Sequence, residues 1–180
     1  MVGVWPKQLL LLQGALAAHL RGRIGFGAQQ QSPGVVNSPR LGESPQPEVA
    51  VVDADVWGFS IPRMLGVEQA PTVIDDMIIP PETHGVRCIS MGFFAREDQP
   101  VIWRGPMLHK ALEQFLTDVY WDDPDFLLVD LPPGTGDISL SLAQFLPTAE
   151  AYIVTTPNPA AQRVAQRSAF MFNEVKISVK

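Results

Sequence analysis

The 180-residue chain has one cysteine, Cys88, so it can form no internal disulfide and has no CxxC pair to hold a metal or a cluster. A reducing, cytoplasmic setting is the matching expectation. Lysine is also scarce. Lys7, Lys110, Lys176 and Lys180 are the only four, and none follows a glycine, so the chain has no Gly-Lys-Ser/Thr phosphate-binding loop. The three histidines, His19, His84 and His109, lie far apart with no metal-ligand spacing and receive no role. No apolar run approaches the ~20 residues of a membrane-spanning helix.

Acids are missing from one region. Residues 1–42 contain none, while Lys7, Arg21, Arg23 and Arg40 give that stretch +4, so a net charge of −6 for the whole chain leaves −10 on residues 43–180. An acidic body of this kind argues against a surface built to coat nucleic acid or an anionic membrane. Small polyanions bind through backbone N–H groups and helix ends, so nucleotide binding stays open.

The apolar fraction of 46% and the charged fraction of 18% fit one globular domain with a buried core. The composition divides the chain into residues 1–48 and 49–180. The first part has a short apolar stretch, Leu9 to Leu12 and Ala15 to Ala18, then a polar run marked by proline from Gln29 to Pro47. Three readings fit it: a secretory signal, an organelle transit peptide, or a weakly ordered extension with a helical turn or two. The extension is preferred.

From Val49 onward, short runs apolar on both faces alternate with helical stripes. Val49 to Val52, Val86 to Met91, Phe126 to Val129 and Ala151 to Val154 read as strands buried between helical layers. Leu108, Leu112, Phe115, Leu116 and Val119 form a stripe at helical spacing that starts near Gly105-Pro106. Asn158 and Pro159 mark the N-cap and first residue of a helix through Phe172, and Asp137 or Ser139 is the expected cap of a helix through Phe145. A further strand begins near Ile177. This alternation predicts an α/β three-layer sandwich with a mostly parallel, doubly wound sheet.

Ligands of such sheets bind at the carboxyl ends of the strands, where polar residues collect here at 53–55, 130–137 and 155–158. The string from Leu127 to Asp137, LLVDLPPGTGD, carries the strongest signal. An acid ending a hydrophobic strand can hold the water shell of Mg²⁺, and Gly134 lets the backbone approach a terminal phosphate. An ordinary strand-to-helix turn is the competing reading of a lone strand-end acid; the full string favours the nucleotide site. In Val51-Val52-Asp53-Ala54-Asp55, two acids two apart can divide the work, with Asp55 orienting an attacking water and Asp53 supporting it. A lone DxD of this kind is most often structural, and its weight comes from the neighbouring cluster.

Four ordered blocks extend these signals: 53–66 (DADVWGFSIPRMLG), 89–93 (ISMGF), 101–107 (VIWRGPM) and 131–137 (LPPGTGD), followed by Val154-Thr155-Thr156-Pro157. Over residues 49–175 the chain resembles the Mrp (ApbC-like) iron–sulfur cluster carrier ATPases. That resemblance implies P-loop ATPases, usually dimeric, that pass an iron–sulfur cluster to apo-proteins. It places Asp55 on the water-positioning acid, Asp130 on the water-mediated Mg²⁺ acid and Gly134 on the glycine facing the γ-phosphate. The expected nucleotide-binding set is Asp53, Gly58, Pro133, Gly134 and Thr135, with ATP and Mg²⁺ as cofactors. The partners it implies are a second copy and apo iron–sulfur proteins, with no nucleic acid and no membrane.

Two parts of the family pattern are missing from the 180 residues. The KGGVGKS-type loop expected roughly 30 residues before Asp53, given a loop, a helix and a strand between them, is not there, and Gly25-Phe26-Gly27 is too short and has no lysine. The cluster-binding CxxC is also missing, and Cys88 sits in a strand pattern that reads as buried structure. The expectations are therefore impaired ATP hydrolysis, or a non-catalytic product that keeps only the fold core or a dimer face. A sheet without its central strand would also expose edges and be marginally stable. A partitioning-type ATPase of the same superfamily is disfavoured by the acidic body and the WRGPM block.

Overall fold

The computed structural model describes residues 8–13, 47–56, 58–95, 105–132 and 136–180, with backbone alone for 8–13, 136 and 137. In chain order the elements are β1 (Gln8–Gln13), β2 (Val49–Asp53), α1 (Ile61–Leu65), β3 (Thr72–Ile74), β4 (Met77–Ile79), β5 (Glu82–Thr83) and β6 (Val86–Ser90). A 3-10 turn (Met91–Phe94) comes next, then α2 (Gly105–Thr117), β7 (Phe126–Leu131), α3 (Gly136–Phe145), β8 (Glu150–Ile153), α4 (Pro159–Glu174) and β9 (Ser178–Val179).

Seven strands form one sheet in the order β5-β6-β2-β7-β1-β8-β9, parallel throughout except for the β5–β6 pair. A β3–β4 hairpin stands apart from it. The expected α/β architecture with a mostly parallel sheet is therefore present. Among the described residues, no helix is long and apolar enough to cross a membrane.

The centre of the sheet departs from expectation. Gln8–Gln13 form a strand there, hydrogen-bonded in parallel to β7 on one side and β8 on the other. Residues 8–13 are thus part of the sheet, and the expected gap at its centre is filled. Leu9 to Leu12, read as part of an extension with a helical turn or two, are a strand instead, because two strands distant in sequence pair with them on either side.

Alternation along the strands sorts side chains to two faces. Ala50 and Val52, Ile89, and Leu127 and Val129 join Leu108, Leu112 and Phe115 of α2, Ile138 and Leu142 of α3 and Phe172 of α4 in the larger core cluster. Val51, Val86, Cys88 and Leu128 pack with Ile61 in a second, smaller cluster. Helix α1 therefore covers part of the opposite face, and Gly66 ends it in the left-handed conformation at φ 73°.

Helix boundaries follow the local chemistry. Asn158 caps α4 by accepting the Ala160 N–H at 2.8 Å, with Pro159 as first residue. Helix α3 begins at Gly136, so Asp137 and Ser139 lie inside its first turn and neither is its N-cap. One hub was not visible in the sequence. Arg87 reaches Glu48, Glu82 and Asp122 at 3.6, 3.4 and 2.9 Å and donates to the Trp121 carbonyl at 3.0 Å, tying β6 to the starts of β2 and β7.

Cys88 lies at the centre of the smaller cluster, and burial, with Asp53 nearby, pushes its thiol up to about 12. Thiol reagents should modify it about a hundredfold or more slowly in the native chain than in denaturant. Equal rates in the two states would show that the β6 region is open.

Candidate functional site

Register and alternation together build the site. Asp53 is paired in register with Ser90 on β6 and with Asp130 on β7. Each lies two residues beyond a member of the smaller cluster, Val51, Cys88 and Leu128, so all three point to the same face. Both acids stand at the carboxyl edge of the sheet, where an open parallel sheet binds ligands. Strand β1 reaches the same edge, with Leu12 beside Asp130 and Gln13 between Leu131 and Ile153.

Asp53 is 0% exposed, and its oxygens accept three hydrogen bonds. Oδ2 accepts from the Ser90 hydroxyl at 3.0 Å and the Ile61 N–H at 3.3 Å, and Oδ1 accepts from the Asp55 N–H at 3.3 Å. Burial raises its pKa to about 6, against the pull of these donors. Its geometry is that of a support for the chain leading to Asp55.

Asp130 is 8% exposed and differently placed. Burial pushes its carboxyl up to about 8; the charges of Asp53 and Asp55 add to the rise, and the Leu131 N–H offsets part of it. At neutral pH it is therefore mostly protonated. A dication nearby would reverse that balance, because it favours the carboxylate and offsets the repulsion among the three acids. Among the described residues, no group of three His, Cys, Asp or Glu is spaced to hold a metal directly. A carboxylate oxygen such as that of Asp130 is the donor type that suits Mg²⁺.

Asp55 comes just after the strand and is partly buried. Gly58 leaves room for its carboxylate, since a Cβ there would lie 2.9 Å from Asp55 Oδ2. The structure thus brings Asp53, Asp55, Gly58 and Asp130 together. Pro133, Gly134 and Thr135 lie outside the described residues, as do Trp103 and Arg104. Sequence reading gave Ser90 no role, although it lies at the end of a strand and within the 89–93 block.

The histidines, which received no role from the sequence, have structural places at 84 and 109, and His19 lies outside the described residues. His109 Nδ1 lies 2.9 Å from the Ser141 hydroxyl, and its ring stands 4.7 Å from that of Phe145, joining α2 to α3. His84 occupies the left-handed turn between β5 and β6 at φ 51°.

Residues 41–180 match the ParA family model described as NUBPL iron-transfer P-loop NTPase. The chain is 58% identical over 120 residues to an iron–sulfur cluster carrier protein of Mycobacterium leprae, covering 67% of this chain and 31% of that protein. It is 44% identical over 136 residues to the carrier of Bacillus subtilis, covering 76% and 38%. An Arabidopsis thaliana protein, the iron–sulfur protein required for NADH dehydrogenase, mitochondrial, is 44% identical over 133 residues, covering 73% and 42%. The chain therefore spans about a third of the length of the curated relatives it matches. A nucleotide-binding protein from Archaeoglobus fulgidus in complex with ADP has a similar structure, with TM-score 0.66 and 25% identity, covering 96% of this chain and 64% of that one. The kinase domain of the Escherichia coli tyrosine kinase ETK shares the fold alone, at TM-score 0.57 and 14% identity. With strand-end acids in register and a family model matched across residues 41–180, the chain belongs to the NUBPL-type iron-transfer P-loop NTPases, the family of the iron–sulfur cluster carriers.

Proposed function

We propose that this chain carries the magnesium-and-water side of the ATP site of an iron–sulfur cluster carrier, and that ATP hydrolysis is impaired in it. The in-register pair Asp53–Asp130 at the carboxyl edge, with Asp55 beyond it, is the observation that carries this reading. Asp130 holds Mg²⁺ through water and Asp55 orients the attacking water, while Gly58, Pro133, Gly134 and Thr135 form the nucleotide-facing backbone. Mg²⁺, when bound, supplies charge neutralisation at the transferring phosphoryl group. The cluster is cargo passed to apo-proteins, and the working unit is a cytoplasmic homodimer.

Impairment rests on the residues after β1. Its carboxyl end lies beside Asp130, where the phosphate loop of this fold begins, yet the sequence there reads Gly14-Ala15-Leu16-Ala17-Ala18. No lysine occurs between Lys7 and Lys110. A missing loop removes the amide cradle, a cation and a magnesium ligand together, and a single such contact is worth about 3–4 kcal/mol in a transition state. On this reading residues 49–180 are the family's segment, and residues 1–48 supply a strand without the motif.

Titration with ATP and Mg²⁺ tests this. A Kd weaker than about 1 mM is expected, and micromolar affinity would end the impaired reading. The filled centre of the sheet favours a second reading, a non-catalytic chain that keeps the fold core. Thermal shift separates the two. A weak site gives a small Mg²⁺-dependent rise in melting temperature at about 10 mM ATP, and the non-catalytic chain gives none.

A further inference from the structure

Two features near the site are not explained by nucleotide chemistry alone. Ser90 and Asp53 are both 0% exposed at the ends of adjacent strands, and the Ser90 hydroxyl serves two partners. It donates to Asp53 Oδ2 at 3.0 Å and accepts the Gly92 N–H at 3.0 Å. Asp53 in turn receives the N–H groups of Asp55 and Ile61, the two ends of the loop that carries Asp55.

Gly92 makes a second, independent contact with the same loop. A Cβ on it would lie 2.7 Å from Phe59 Cβ and 2.8 Å from Phe59 Cγ. Contacts that close are not tolerated, so the start of the 3-10 turn after β6 can meet the loop only with glycine there. Asp55 and Ile61 are thus each held through Asp53, and Phe59 between them rests on Gly92.

We infer that Ser90 and Gly92 form a latch that sets the position of Asp55, with Ser90 acting through the carboxylate of Asp53. Ser90 is a positioning residue. It lies too deep to touch a nucleotide, and its hydroxyl fixes the acceptor geometry of Asp53. Loss of the hydroxyl leaves Asp53 with one donor fewer and frees the Gly92 N–H, so both ends of the loop loosen. The proposal deepens the reading of Asp55 as the water-orienting acid and rests on it for its functional meaning.

Residue-resolved amide hydrogen exchange on the full 180-residue chain, without nucleotide, tests the latch. In Ser90→Ala the amides of Asp55, Ile61 and Gly92 should exchange about tenfold faster or more, while those of Val51, Leu128 and Val129 keep their rates. Ser90→Thr restores the hydroxyl and should return the three amides toward their original rates. Gly92→Ala loosens Asp55 and Ile61 by displacing Phe59 and decides the matter if the threonine methyl prevents folding. Unchanged exchange at the three amides in Ser90→Ala, or equal acceleration across the sheet, overturns the proposal. Because no nucleotide is added, a failure of ATP binding leaves this result intact, and a failure here leaves the ATP titration to stand separately.

Discussion

Replacing Asp130 with asparagine should stabilise the chain at pH 8 by about 2 kcal/mol or more, and change it little at pH 4. The direction comes from the two states of the carboxyl. It titrates near 3.8 when unfolded and at about 8 when folded, so between these values the folded chain keeps a proton that the unfolded chain has released. Native stability therefore falls as pH rises from about 4 to about 8, and levels off above that. Asp53, raised to about 6, adds to the lower half of the same window.

Asparagine removes the charge and still offers an amide oxygen to the Leu131 N–H that the carboxyl accepts. For a chain of this length a gain of about 2 kcal/mol corresponds to roughly 4–8 °C in melting temperature. Melting curves of both proteins at about pH 4 and pH 8.5 provide the check. An equal difference at the two values would mean that charge at position 130 is not the cause. On the proposed function, the same substitution removes the acid that binds the water shell of Mg²⁺. Stability would be gained where cation binding is lost, a common trade at functional sites.

Replacing Phe172 with alanine should cost about 3–5 kcal/mol. Phe172 is 1% exposed and among the largest fully buried side chains. It brings α4 into the main core cluster, and its carbonyl accepts the Ile177 N–H at 2.9 Å on the way to β9. A domain of ordinary stability has about 5–15 kcal/mol in total, and this loss should lower the melting temperature by roughly 6–20 °C. Phe170, two residues earlier on the same helix, is 66% exposed and supplies the control. Its alanine substitution should stay within about 0.5 kcal/mol. Comparable small shifts for both would mean that α4 is not docked through Phe172.

Much of the fold was legible because its signals are local. The runs at Val49, Phe126 and Ala151 are apolar on both faces, as a covered parallel strand requires, and each became a strand within a residue or two. Leu108, Leu112 and Phe115 keep helical spacing and are all buried. Asn158 and Pro159 start α4 because side-chain capping and the fixed φ of proline act within one turn. Asp53, Asp55 and Asp130 were found as acids that end hydrophobic strands, and their grouping came from the rule that parallel strands share a carboxyl edge.

The features decided by the tertiary structure depend on partners far apart in sequence. Leu9 to Leu12 carried no strand signal distinct from a short apolar extension, and only pairing with residues 126–131 and 150–153 makes them an interior strand. Ser90 is an ordinary strand-end serine until register sets it beside Asp53, 37 residues away, where both are fully buried. The raised pKa of Asp130 is likewise a property of the assembled edge, because burial and two neighbouring acids exist only once β2 and β7 are paired. Local pattern thus determined the layers and the strand-end acids, and the motif blocks carried the resemblance to the family. Strand register, which no single segment encodes, determined how those acids are held and which residue holds them.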